Sequence, residues 1–221
     1  MKLWFRLLSG PLRIFFYLLY QPFASVYDLV ATIVSVGLWK EWVMVVLPYL
    51  KGAHILELGH GPGHLQLALH QQGFQTIGLD RSPQMGHLTK KRLIHQSYRP
   101  LLVNGKAQNL PFLAECFQQV VATFPTDYII APDTLAEIRR VLTPDGELVV
   151  LPTAWITGKS ALHRAARGLF RITGQAPSFD KARFERALEP VRQAGFSVIS
   201  ETINLTNSTL LIVRAVCNIS V

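Results

Sequence analysis

From residue 53 onward, short apolar runs alternate with segments whose apolar residues recur at helical spacing. The apolar runs predict seven strands, over residues 53–58, 75–79, 101–103, 117–123, 147–151, 196–203 and 209–216. The intervening segments predict helices over residues 64–72, 83–97, 133–142 and 181–194. This alternation is typical of an α/β domain with a doubly wound, mostly parallel seven-stranded sheet. The short polar link between the last two strands predicts an antiparallel C-terminal hairpin.

The first 50 residues follow a different pattern. Residues 3–20 are nearly all apolar but contain Arg6, Arg13 and a helix-breaking Gly10-Pro11 pair, and a further helix is predicted over residues 39–47. A segment lying in a membrane interface fits this composition best, whereas packing on protein and a true membrane span remain open. We therefore expect an apolar helical extension or lid over residues 1–50 and one domain over residues 51–221.

The charge of the chain is strongly positive, with a formal net charge of +8 over 221 residues. Residues 81–106 carry six Lys and Arg residues and no acid, and a second basic stretch covers residues 159–186. No nucleic-acid-binding module is recognisable, so we expect no nucleic acid partner. An anionic membrane surface is the favoured functional interpretation, and two solvated surfaces are the equally weighted alternative.

A glycine-rich loop, ELGHGPGH at residues 57–64, follows the first predicted strand. Ligands of doubly wound sheets bind at the carboxyl ends of the strands, where such loops lie. The spacing departs from the dinucleotide fingerprint because His64 stands where the third glycine belongs, and the Gly-Lys-Ser/Thr of a phosphate-binding loop is absent from it. The loop therefore favours a ligand other than a dinucleotide or a nucleoside triphosphate.

Two acidic residues stand at the ends of neighbouring predicted strands. Glu57 precedes the first glycine by two positions, and Asp80 ends the second strand. A carboxylate at the first position suits a positively charged amino group better than a diphosphate. A carboxylate at the second position can accept hydrogen bonds from both hydroxyls of a ribose.

Five segments resemble, in order, the motifs of class I S-adenosylmethionine-dependent methyltransferases: ILELGHGPGHLQLAL, GLDRSPQM, NGKAQNLPF, FQQVVATFPTDYI and LAEIRRVLTPDGELVV. They cover roughly residues 53–152. The resemblance implies a Rossmann-like methyltransferase fold, S-adenosylmethionine as cofactor and no metal. It implies cofactor contacts at Glu57, Gly59, His60, Gly61, Gly63, Asp80, Arg81, Ala107, Gln108 and Thr123. Substrate-facing candidates are Tyr27, Phe124, Asp127 and Tyr128.

Two positions depart from the family pattern. Lys106 stands where an acid often contacts the adenine amino group, so the backbone near Ala107 and the side chain of Gln108 are the remaining candidates for that contact. His60 replaces a smaller residue, and packing is favoured over contact with the cofactor. Asp127 has an equally good interpretation as a residue that caps a turn or helix.

The substrate is expected to be lipophilic. The segment YDLVATIVSVGLWKEW at residues 27–42 resembles, more loosely, the region before the core of ubiquinone/menaquinone-biosynthesis C-methyltransferases, which makes Tyr27 a candidate lid residue. In layout, the chain also resembles phospholipid N-methyltransferases. We expect methyl transfer to a small quinone-precursor or phospholipid-like acceptor by a cytoplasmic protein at the inner face of a membrane. The alternatives are a membrane-associated protein that binds the cofactor without turnover and an NAD(P)-dependent oxidoreductase.

Overall fold

The computed structural model describes residues 35, 37–158, 160, 163 and 181–217. Its α-helices are Trp39–Met44 (α1), His64–Gln71 (α2), Pro83–His95 (α3), Pro132–Val141 (α4) and Lys181–Gln193 (α5), with two 3-10 helices at Leu47–Tyr49 (η1) and Asp127–Ile130 (η2). Its strands are His54–Leu58 (β1), Gln75–Asp80 (β2), Leu102–Asn104 (β3), Phe117–Thr123 (β4), Leu142–Ile156 (β5), Phe196–Asn204 (β6) and Ser208–Cys217 (β7). The segment 3–20 and Tyr27 lie outside the described residues.

The described strands form one sheet in the order β3-β2-β1-β4-β5-β7-β6. Strands β1 to β5 pair in parallel, and β7 is antiparallel to both β5 and β6. The predicted fold class, including the C-terminal hairpin, is confirmed. The strand order reverses at β1, which lies between β2 and β4, so the carboxyl ends of these strands flank a topological switch point.

Both faces of the sheet are covered, which explains why its central strands are continuously apolar. Alternate residues of a strand point to opposite faces. One face packs against α4 and α5 through a cluster that includes Leu56, Leu58, Val120, Ala122, Leu135, Ile138, Leu188 and Val191. The other packs against α1 and α2 through a cluster that includes Ile55, Val121, Val149, Trp42, Val46, Leu65 and Leu69. Because Glu57 is two residues from Ile55, its carboxyl group points to the α2 side.

The structure corrects the predicted extent of β5, which runs from Leu142 to Ile156 instead of from 147 to 151. The segment Thr143-Pro144-Asp145-Gly146, whose residue types predict a turn, is a register irregularity within the strand, whose Leu142 already pairs with Phe117 of β4. At the other end, β5 continues past β4 because residues 153–156 pair with β7. A second irregularity there contains Pro152, which has no N–H to donate to a ladder.

Helix α1 ends at Met44, earlier than the predicted 47, and η1 with Pro48 in its first turn follows. The short helix is nevertheless firmly attached to the sheet. The indole Nε1 of Trp42 donates a buried 2.8 Å hydrogen bond to Oγ of Ser208, the first residue of β7. A polar anchor of this kind fixes both the position and the orientation of the helix.

The chain between η1 and β1 is held by the buried side chain of Gln119 in β4. Its Oε1 accepts hydrogen bonds from the backbone N–H groups of Lys51 (2.6 Å) and Gly52 (3.0 Å). Its Nε2 donates to the carbonyl oxygen of Tyr49 (2.9 Å) and to Glu147 Oε2 (3.0 Å). One side-chain amide therefore satisfies backbone donors and an acceptor of a connection that forms no hydrogen bonds of a sheet.

Within residues 37–158 and 181–217, no helix is both long and apolar enough to cross a membrane.

We predict that Gln119→Leu lowers the free energy of unfolding by about 2–4 kcal/mol, because it leaves several buried polar groups of the connection without a hydrogen-bond partner. Urea unfolding followed by circular dichroism measures the change. The matched control is Gln118→Leu, since Gln118 makes a single exposed contact, accepting from His54 N. Equal losses in the two variants would contradict the assigned role of Gln119.

Candidate cofactor and active site

The parallel strands bring most of the predicted site residues to one edge of the sheet. Glu57 lies near the end of β1, Asp80 ends β2 and Thr123 ends β4, and these strands pair in register. The segment with Ala107 and Gln108 follows β3 at the same edge. The topology therefore assembles residues that are up to 66 positions apart in the sequence, from Glu57 to Thr123.

Glu57 is a buried acid, with only 1% of its surface exposed. Its Oε2 accepts a 2.8 Å hydrogen bond from Nε2 of Gln66 in α2. Burial raises the pKa of Glu57 to about 8; the hydrogen bond from Gln66 opposes this shift and the nearby charge of Asp80 adds to it. Ionised Glu57 therefore needs a positive partner, and the ammonium group of a methionine moiety would supply one.

Asp80 is held by backbone donors on both sides. Its Oδ2 accepts from Gly61 N at 2.9 Å and its Oδ1 from Ser82 N at 2.8 Å, and the residue is 8% exposed. A carboxylate has about four acceptor sites, so both oxygens retain capacity for further donors. This geometry fits the two hydroxyl groups of a ribose.

The glycine-rich loop takes a backbone shape that favours glycine. Gly61 has φ of +53°, and a Cβ built on it meets nothing within 4 Å, so the chain there borders open space. Gly59 has φ of +70°, and a Cβ there would lie 2.9 Å from the hydroxyl of Tyr128. That hydroxyl donates to the carbonyl oxygen of Leu58 at 3.3 Å. Tyr128 of η2 therefore lies against the loop, while Gly63 forms the N-cap of α2.

His60 is turned beneath the loop and is 4% exposed. Its Nδ1 lies 2.8 Å from the carbonyl oxygen of Gly61 and 3.1 Å from the hydroxyl of Thr89 in α3. The Thr89 hydroxyl donates to the same carbonyl oxygen at 2.8 Å. Burial lowers the pKa of His60, and Asp80 opposes this shift. The side chain is packed, as the sequence favoured. It contacts the carbonyl oxygen of Gly61, whose N–H group donates to Asp80.

The other predicted residues differ in exposure. Arg81, Gln108 and Asp127 are exposed, whereas Ala107 is 5% exposed. Lys106 is also exposed, so its charge is not buried in an adenine pocket. The half-buried candidates are Thr123, Phe124 and Tyr128. Asp127 begins η2, where Thr126 is the N-cap residue and no side chain caps the helix.

Sequence reasoning missed three supporting residues. Gln66 and Thr89 are fully buried polar residues on helices that flank the loop. Thr89 stands four positions from both Met85 and Leu93, on the buried side of α3, and a lone threonine in an apolar stripe is the signal that identifies it. The third is Arg140 of α4, whose partners lie in a distant loop.

The side chain of Arg140 clamps the loop that follows β3. Its guanidinium donates to the carbonyl oxygens of Phe112 (2.8 Å) and Leu110 (2.9 Å) and pairs with both carboxylate oxygens of Glu137. Glu137 Oε2 in turn accepts from Leu110 N at 2.6 Å. The ion pair lowers the pKa of Glu137. This fork geometry fixes the backbone of the loop that follows β3.

Among the residues that the structure describes, no cluster of three or more His, Cys, Asp or Glu side chains could hold a metal ion.

Comparison with known proteins shows what this assembly resembles. Residues 55–146 match the sequence model of the methyltransferase domain family, from β1 into β5. The described sheet also superposes on a solved S-adenosylmethionine-dependent methyltransferase of Thermotoga maritima, with a TM-score of 0.60, 19% identity and coverage of 90% of this chain and 98% of that one. Residues 55–146 thus resemble a methyltransferase domain, and the chain shares its fold with S-adenosylmethionine-dependent methyltransferases.

Two relatives are demethylmenaquinone methyltransferases. This chain is 33% identical over 147 residues to that of Lactiplantibacillus plantarum, covering 62% of this chain and 61% of the relative. It is 30% identical over 142 residues to that of Symbiobacterium thermophilum, covering 60% of this chain and 57% of the relative. The chain spans about three fifths of the length of these curated relatives.

We predict that Glu57→Gln stabilises the cofactor-free methyltransferase increasingly as the pH rises from 5 to 8. The folded chain retains a proton at Glu57 up to a pKa of about 8, whereas the unfolded chain releases it near 4.5. The folded state therefore binds more protons in this window, and the stability of the wild type falls with rising pH. The difference in Tm should reach several degrees, with Glu41→Gln, an exposed acid of α1, as the control.

The same variant should bind S-adenosylhomocysteine at least about 100-fold more weakly, since it has no charge for the ammonium group. Wild-type affinity should rise between pH 6 and 7.5, by up to about tenfold per pH unit, because Glu57 must release its proton on binding. Calorimetry in buffers of different ionisation enthalpy measures that proton. A wild-type affinity that does not vary over this pH range would disprove the assignment.

We predict that Arg140→Lys weakens the binding of S-adenosylhomocysteine about tenfold, because an ammonium group cannot replace the guanidinium fork. Fluorescence titration at a temperature where the variant is fully folded measures the affinity. Arg139→Lys is the matched control, since the neighbouring Arg139 donates to the carbonyl oxygen of Gly195, away from the loop. Similar weakening in both variants would show that the effect is general destabilisation.

Proposed function

We propose that this protein transfers a methyl group from S-adenosylmethionine to a small lipophilic acceptor. The observation that carries the proposal is the pair of buried carboxyl groups, Glu57 and Asp80, at the ends of adjoining strands β1 and β2. One is desolvated so that it favours a cationic partner, and the other is held by backbone donors with acceptor capacity remaining. Together they suit the amino-acid end and the sugar of a sulfonium nucleoside.

S-adenosylmethionine, when bound, supplies an electrophilic methyl group. Glu57 would hold the ammonium group, Asp80 the ribose, and the clamped segment around Ala107 the adenine. Methyl transfer is an in-line displacement, so the chain's contribution is alignment and exclusion of water. His60 lies beneath the loop with its pKa lowered by burial, and it supports the loop better than it serves as a base.

The acceptor side supports an apolar substrate. At the carboxyl end of β4, the ring of Phe124 lies 4.6 Å from that of Trp39 and 6.1 Å from that of Trp42 in α1, measured between centroids. Phe124 has φ of +48°, a strained conformation that a non-glycine residue adopts where the surroundings enforce it. The aromatic cluster of Trp39, Trp42 and Phe124 suits a flat apolar ring. The two relatives are named for demethylmenaquinone, which agrees with an acceptor of this kind.

We extend the proposal to the first 50 residues and to the location of the protein. Residues 1–50 would act as an extension that both covers the acceptor and associates with a membrane, with Tyr27 as a lid residue. The attachment of α1 beside Phe124 supports the lid role, and the apolar composition of residues 3–20 supports the membrane role. The protein would then work at the inner face of a membrane, in the cytoplasm, on a quinone-precursor or phospholipid-like acceptor.

Lys106 is the feature that favours the alternative of a cofactor-binding protein without turnover. Because Lys106 is exposed and Arg140 clamps the loop that follows it, a lysine at this position is compatible with an adenine bound against that loop. The family match disfavours the dinucleotide-dependent oxidoreductase.

We predict that incubation of the protein with tritiated S-adenosylmethionine and a lipid extract moves tritium into the organic phase. Asp80→Asn should reduce the transfer at least about 100-fold, because an amide accepts fewer hydrogen bonds from the ribose. Asp133→Asn, at an exposed acid in the first turn of α4, should leave it unchanged. Thin-layer separation of the labelled product distinguishes a quinone-type ring from a phospholipid. Label confined to aqueous products would contradict the proposal of a lipophilic acceptor. Cofactor binding without any labelled product would favour the alternative of a protein without turnover.

A further inference from the structure

Helix α3 presents two unlike sides. Its buried side carries Met85, Thr89 and Leu93, each four residues from the next. The opposite side, which we call the α3 face, consists of His87, Lys90, Lys91, Ile94 and His95, all of them exposed. Their spacing of three and four residues places these side chains on one continuous surface of the helix.

The α3 face lies in a stretch without negative charge. Residues 81–114 contain six Lys and Arg residues and no Asp or Glu. In the part of the chain that the structure describes, no carboxylate forms an ion pair with Lys90 or Lys91. These cations are therefore not neutralised by described neighbours, and their field extends into solvent.

The same stretch contains most of the large apolar side chains that are exposed in the described residues. Three of the four lie within it: Ile94 (54% exposed), Leu101 (43%) and Leu113 (82%). The fourth, Ile199 (55%), lies on β6 at the opposite edge of the sheet. Leu101 directly precedes the edge strand β3, against which α3 packs. Single exposed apolar residues are ordinary, but their concentration in a basic, acid-free stretch is not.

We propose that the α3 face docks on a bilayer that contains anionic lipids. Lysines beside apolar side chains match a surface with phosphate headgroups above hydrocarbon, where each exposed lysine adds attraction and Ile94 adds buried area. A nucleic acid would match the cations but would leave the apolar side chains exposed, and the nearby ring of Tyr98 stacks on His70 instead of being free to stack on a base. The face is separate from the cofactor site, so the proposal does not depend on catalysis.

Docking through this face has a geometric consequence. Helix α3 begins three residues after Asp80, so its first turn adjoins the cofactor edge of the sheet. Contact with lipid along α3 would hold that edge near the bilayer, where a lipophilic compound is concentrated.

Sedimentation of the full chain with vesicles tests the proposal. The wild type should bind vesicles of phosphatidylglycerol and phosphatidylcholine more tightly than vesicles of phosphatidylcholine alone, and salt should weaken the binding. Lys90→Glu/Lys91→Glu should lower the partition coefficient by about tenfold or more. The control Lys51→Glu/Arg186→Glu makes the same change in net charge at exposed positions outside the α3 face and should lose less than about threefold.

A second pair of variants tests the apolar contact. Ile94→Ser should weaken vesicle binding several-fold, whereas Ile199→Ser, at a position of equal exposure on the far edge, should not. All variants should bind S-adenosylhomocysteine as the wild type does, which shows that they are folded.

Three results would overturn the proposal. Equal binding by both charge variants would assign any membrane affinity to other parts of the chain. Absence of a preference for phosphatidylglycerol in the wild type would remove the electrostatic basis. Tight binding of an RNA oligonucleotide that depends on Lys90 and Lys91, without vesicle binding, would assign the face to nucleic acid.

Discussion

A buried carboxyl group that has no cationic partner among the described residues imposes the main constraint on this fold. Glu57 is 1% exposed and lies on the α2 side of β1, where a leucine would pack at no electrostatic cost. Gln66 supplies a single neutral donor, so burial still dominates and raises the pKa of Glu57 to about 8. The cofactor-free domain thus holds a destabilising group at the position where the proposed function requires charge, a common conflict between stability and function.

The second carboxyl group, Asp80, shows how the site is kept in shape. Both backbone polar groups of Gly61 are hydrogen-bonded: its N–H group donates to Asp80, and its carbonyl oxygen accepts from Thr89. Arg92 of α3 also donates to the carbonyl oxygen of Pro62. Across the site, Arg140 fixes the loop after β3. Loops held by helices that are themselves packed on the sheet provide binding groups with little reorganisation.

Helix α1 and its connection are integrated with this scaffold. Trp42 is hydrogen-bonded to β7, Gln119 holds the chain before β1, and Trp39 contacts Phe124 at the end of β4. Helix α1 is therefore packed beside the carboxyl end of β4, where the substrate-facing candidate Phe124 lies, whereas the connection after it is held at the opposite, amino end of β1 and β4. The position of helix α1 places this part of the first 50 residues next to the candidate site.

The sequence by itself determined the alternation of strands and helices, the doubly wound class, the glycine-rich loop and the pair of acids, because these depend on local periodicity and short spacings. The C-terminal end of helix α1, the ends of β5 and the support of the loops were decided only by tertiary structure. Strand β5 extends because β7 continues to pair with it. The sequence pattern of residues 142–156 alone does not predict that pairing. Thr89, Gln66 and Arg140 bind groups between 9 and 30 positions away, and their roles exist only once the sheet has brought those groups within hydrogen-bond distance. The space that receives the side chain of His60 also arises from packing, although the sequence already favoured a packed position for this residue.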